Sequence, residues 1–229
     1  MKSVRGLRIG YCDDFGVRVP IDKDIVQSVR NAAYMLVEEG ATVEDVNPGL
    51  GDTFEAYKVL EPAFVGYSNN DRSPEELAMM DPGLVAITQI GEILTAFDLI
   101  KTGSALADWI EKMFHFFRSY DLLITPTVPV AAFHVGRNNP LEERYSERER
   151  VCCLFGQYLY PFNFTHHPSI SVPCGLNKRG LPMGWQIVGP LGNDYRILVA
   201  ARTFEMINPF PKLPQLSQQK PLQLQIAKV

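Results

Sequence analysis

The sequence predicts a single α/β domain, and three observations carry that prediction. Short apolar runs of strand length recur at LRIGY, DLLITPTVP and SISVPCG. Longer segments whose apolar residues repeat at helical spacing lie between them. No internal repeat or linker divides the chain, so residues 1–207 read as one domain. Residues 208–229 read as a Pro- and Gln-rich tail lying loosely on the surface.

The elements follow in order. LRIGY, residues 7–11, is suited to a buried strand. Asp22 is placed to cap a helix whose apolar residues are Ile25, Val26, Val29, Ala33, Leu36 and Val37. Gly40 ends that helix, and ATVEDV alternates as the next strand. GDTFEAYKVLEPAFVGYS reads as helical with a break near Pro62, and NNDRSP as a polar loop. From Pro82 to Tyr120 the spacing predicts two helices meeting near Gly103.

DLLITPTVP is a buried strand stopped at Pro126, because proline removes a donor from the ladder. Residues 136–146 form a charged loop, and helical spacing returns over 147–158. SISVPCG and LPMGWQIVG, joined by NKRG, predict a hairpin. Asn193 or Asp194 caps a last helix, DYRILVAARTFEMI.

Charge excludes some functions. The 229 residues carry a formal net charge of −4 and no basic block, so neither nucleic acid nor an anionic membrane is an expected partner. The apolar stretch LVAITQIGEILTAFDLI contains Gln89, Glu92 and Asp98, which predicts a buried soluble helix and no membrane span. The N-terminus has no apolar run of signal-peptide length. Four cysteines without C-x-x-C spacing point away from a disulfide framework or a zinc site, and towards the cytoplasm.

The densest chemistry lies in PFNFTHHPSISVPCG, residues 161–175. His166 and His167 suggest a metal, but neighbours in an extended chain point to opposite faces, and no third ligand is near. A metal site is therefore not expected. Ser169, Ser171 and Cys174 alternate with Ile170 and Val172 as in a half-buried strand, although a pair between Cys174 and His166 or His167 stays open. Asp13-Asp14, Glu38-Glu39 and the charged run ending at Glu149 read as solvated surface. No G-x-S-x-G, dinucleotide fingerprint or phosphate loop occurs.

Four segments, in this order, resemble the C-terminal part of the amidase signature family. They are GLRIGY with the following LVEEGATVEDVNP, YDLLITPTVPVAAF, PFNFTHHPSISVPCG with GLPMGWQIVGP, and the closing helix with Asp194, Leu198, Ala201 and Glu205. The resemblance implies a mixed β-sheet flanked by helices and hydrolysis of an amide C–N bond through a serine acyl-enzyme. It implies no cofactor.

The family's serine nucleophile, cis-peptide serine and lysine belong to its N-terminal half. This sequence has no Ser-Ser pair, and its one Gly-Ser is Gly103-Ser104. The chain alone is therefore expected to be inactive and to contain no catalytic residue. Its expected partners are an N-terminal amidase half or a second copy of itself, with a small amide as substrate in the complete enzyme. PFNFTHHPSISVPCG becomes a pocket wall, with Gln157, Phe162, Asn163 and Thr165 as substrate-binding candidates. The family often carries glycine near His166. Its glutamine-using members carry an acidic residue where Gly156 and Gln157 stand, which makes a glutamine-fed role a poorer fit. The other expectation is a non-catalytic binding or assembly protein that keeps this fold fragment.

Overall fold

The computed structural model describes residues 3–17, 19–140 and 154–210. Five strands form one mixed sheet: β1 (Arg8–Tyr11), β2 (Thr42–Asp45), β3 (Leu122–Pro126), β4 (Ser169–Leu176) and β5 (Pro182–Val188). Their order is β2-β1-β3-β5-β4. β1 runs parallel to β2 and β3, with Ile9 beside Val43 and Gly10 beside Leu123. β5 is antiparallel to β3 and β4, placing Gln186 beside Thr125 and Ile170 beside Ile187. The predicted hairpin is thus the antiparallel edge of the sheet.

Helices cover both faces. On one face, α1 (Lys23–Glu38) and α7 (Asp194–Ile207) enclose a core of Val29, Leu36, Trp185 and Phe204. Each such side chain contributes roughly 1.5–3 kcal/mol on leaving water. α1 starts where the sequence predicts: the Asp22 carboxylate accepts from the Asp24 amide at 2.9 Å. It stops at Gly40, whose φ of 89° is open to glycine at little cost. On the other face, α5 (Ala96–Phe116) supplies Trp109, Met113 and Phe116 to a core shared with Leu123, Tyr158 and Phe162.

Four expectations need correction. α2 (Phe54–Asn69) runs unbroken through Pro62. Pro62 is buried, and its carbonyl lies against Gly91 of α4 (Pro82–Glu92), so helix packing holds the segment straight enough to continue. The break expected at Gly103 lies instead at residues 93–95. There the Thr95 hydroxyl and the Asp98 carboxylate cap each other's backbone and start α5 afresh. A short helix, α3 (Pro74–Ala78), follows the polar loop and starts at a Ser73–Glu76 capping box.

LVAITQIGEILTAFDLI is buried only at Ile87 and Thr88: Ile93 is 78% exposed, Phe97 74% and Ile100 71%. Among the described residues no single helix is long and apolar enough to cross a membrane, and α4 and α5 meet at 101°.

Asn193 precedes α7 but its side chain makes no capping bond. The loop expected at 136–146 is irregular through residue 140, beyond which it lies outside the described residues. The helix expected over 147–158 also falls largely outside them, its last part being a tight turn at Leu154–Gly156. The tail lies outside them from residue 211.

Candidate functional site

α2 and the segment 154–164 face each other across a cleft of about 550 Å³. On α2 the lining residues are Tyr57, Leu60, Glu61 and Phe64. Their spacing of i, i+3, i+4 and i+7 puts them on one helical stripe. Opposite them stand Phe155, Gly156, Leu159, Tyr160 and Asn163, carried by the Leu154–Gly156 turn and a one-turn helix, α6 (Tyr160–Phe164). Tyr57 and Tyr160 stack with ring centroids 3.6 Å apart and planes within 7°, clamping the two walls together. Phe133 meets Phe155 edge-on at 5.7 Å.

The segment carrying the far wall is anchored from below. The Gln186 amide donates to the Tyr158 carbonyl at 3.1 Å and to the Thr125 hydroxyl at 3.2 Å. The Tyr158 hydroxyl donates to the Asp13 carbonyl. Burial raises the Tyr158 phenol above its usual range, so it stays protonated as the donor. The Leu154 amide donates to Asn139 at 2.8 Å.

Of the four residues expected to bind substrate, only Asn163 lines the cleft. Gln157 is buried, and its side-chain oxygen accepts from the Val19 amide at 3.3 Å. Phe162 points into the core, edge-on to Phe15 at 6.1 Å. Thr165 is buried and donates to the Pro161 carbonyl at 2.6 Å. Having spent its proton there, the Thr165 hydroxyl accepts from Nδ1 of His167, 2.8 Å away. In this geometry these three shape the wall from behind.

The histidines diverge, though not because the chain is extended. His166 has a φ of 58°, so they occupy a turn in which His166 is exposed and His167 buried. His167 stacks on Phe117 at 5.3 Å, and burial, reinforced by neighbouring His166, lowers its pKa to about 4. It is a neutral hydrogen-bonding ring at neutral pH. No cluster of three metal-ligating residues occurs among the described residues.

Cys174 faces Ser28 and Met183 rather than a histidine, and burial raises its thiol pKa, the reverse of what a nucleophile needs. Asp13, Asp14 and Glu38 reach solvent as expected. The left-handed backbone at His166 predicts that His166→Gly raises stability by about 1 kcal/mol, since only the strain is removed from an exposed position. An unchanged or lower denaturation midpoint would contradict this.

Glu61 is the charged group of the cleft. Its Oε2 is buried without a hydrogen-bond partner among the described residues, and burial raises its pKa from 4.5 to about 7. A raised carboxyl pKa supports the fold below about pH 4.5, and that support is lost as the pH rises through about 7. Glu61→Gln should therefore flatten the fall in denaturation midpoint across this window; a wild-type slope retained in the variant would contradict it.

A mixed sheet covered by helices, with an aromatic cleft beside it, defines the class as an α/β domain. The amidase family model matches residues 1–198, and the chain belongs to the amidase signature family.

Similar proteins include a glutamyl-tRNA(Gln) amidotransferase polypeptide of Prochlorococcus marinus (strain MIT 9211), 29% identical over 89% of this chain and 45% of the relative. The acylamidase of Rhodococcus erythropolis is 27% identical over 91% of this chain and 44% of its own length. The crystal structure of a bacterial aryl acylamidase of the amidase signature family superposes with a TM-score of 0.76 at 26% identity, covering 90% of this chain and 44% of that one. The chain thus spans about 45% of the curated relatives it matches.

Proposed function

We infer that this chain forms the substrate-facing wall of an amide hydrolase whose serine nucleophile, second serine and lysine are supplied by polypeptide outside it. The observation that supports this most is the aromatic cleft, built largely from the 154–164 segment and joined to α2 by the Tyr57–Tyr160 stack. A concave, mostly apolar site with few polar groups suits a small amide with an aryl or alkyl part. The acyl- and arylacylamidase relatives fit that substrate class. In the complete reaction the serine attacks the amide carbonyl, the amine leaves, and water cleaves the resulting ester. This wall binds and orients the apolar part of the substrate; Gln157, Phe162 and Thr165 fix its shape, and Asn163 offers a polar contact. No cofactor enters these steps.

The test is direct. The purified chain should neither hydrolyse acetanilide nor react with a fluorophosphonate probe, because removing oxyanion donors alone costs about 10²–10³ in rate. Stoichiometric labelling of a serine, abolished by heat denaturation, would overturn the assignment of the nucleophile to other polypeptide.

A further inference from the structure

Glu61 is out of place in the wall it belongs to. It occupies the middle of an aromatic and aliphatic stripe, and a buried carboxyl oxygen ordinarily has a partner. The nearest cation in sequence, Lys58, is engaged elsewhere: its ammonium pairs with Glu55 at 2.8 Å and sits 5.5 Å from the Phe54 ring centre. The other titratable side chains lining the cleft are Tyr57 and Tyr160, whose rings stack on each other. Among the described residues Glu61 Oε2 thus has no donor, and a ligand entering the cleft could supply one.

We propose that Glu61 makes this cleft selective for amides whose apolar part ends in a protonated amine, the ammonium group resting against the Glu61 carboxylate among the aromatic rings. This rests on the reading of the cleft as the substrate wall and names the substrate class it takes. An ammonium group suits the site better than a neutral donor. It forms a charge-assisted bond to the carboxylate and is attracted to aromatic faces in a poorly hydrated site. It also stabilises the ionised carboxylate against the burial that raises its pKa to about 7.

The test compares 4-phenylbutylamine with its neutral counterpart 4-phenylbutanol, each titrated into the full chain and followed by NMR. The amine should bind roughly tenfold tighter than the alcohol at about pH 8, with the preference shrinking towards about pH 5.5 as Glu61 takes up a proton. Glu61→Gln should abolish the preference of the amine over the alcohol. Should that variant fail to fold, the pH dependence in the native chain decides alone. Equal binding of both compounds at the higher pH overturns the proposal and leaves the cleft reading standing. Binding of neither overturns both.

Discussion

Gly91→Ala should cost about 3 kcal/mol, the upper end of what overpacking brings, because the clash is with backbone. A Cβ at Gly91 would stand 1.9 Å from the Pro62 carbonyl oxygen and 3.0 Å from the Gly66 Cα. Neither atom can turn aside as a side-chain tip does, so α2 and α4 must separate. The melting temperature should then fall by roughly 6–12 °C for a chain of this size. Because α2 carries Tyr57 and Glu61, aromatic ligands should bind more weakly as well. Gly103→Ala is the control. Gly103 lies inside α5 with nothing within 4 Å of its would-be Cβ, so alanine there should stabilise by about 1 kcal/mol. Opposite signs in the two melts support the close α2–α4 crossing, and a harmless Gly91→Ala would refute it.

The second large effect is association with other polypeptide. Ile93, Phe97, Ile100 and Phe114 leave α5 and its approach with large apolar side chains in water. A surface of this kind is commonly an interaction site. We expect the chain to sediment as a dimer or larger species at micromolar concentration. We also expect it to bind a separately expressed polypeptide carrying the family's Gly-Ser-rich signature. At a hundredfold excess over Kd such a partner stabilises by about 2.7 kcal/mol, or roughly 5–10 °C in Tm. Amide hydrolysis should appear only in the mixture. A monodisperse monomer whose melting ignores that polypeptide would favour a self-sufficient binding protein instead.

Much of the fold was legible because period and punctuation agree. α1 has a capping aspartate, a helical apolar stripe and a terminating glycine, and the hairpin has two β-rich runs around NKRG. The misreadings came from local rules that tertiary contacts override. Pro62 signals a break, yet its packing against Gly91 carries α2 onward. Gly103 signals another, yet it lies on an open helix face, and the capping pair Thr95–Asp98 sets the boundary eight residues earlier.

The cleft was half readable. PFNFTHHPSISVPCG drew notice through its polar residues, yet Asn163, His166, Ser169 and Ser171 face solvent, while Thr165 turns inward to satisfy the Pro161 carbonyl of the single-turn α6. The opposite wall was written more plainly in Tyr57, Leu60, Glu61 and Phe64, a helical stripe interrupted by one acid. Its meaning depends on the Tyr57–Tyr160 stack, which joins residues about a hundred positions apart and has no local signature.

The central claim, that this cleft holds the apolar part of an amide, is tested most directly by locating where acetanilide binds, using chemical-shift changes or a crystal soak. We predict contacts at Tyr57, Leu159, Tyr160 and Asn163. Contacts instead at the smaller cavity of about 370 Å³ beside Ile110, Phe117, His167 and Leu191, or none at all, would contradict the account.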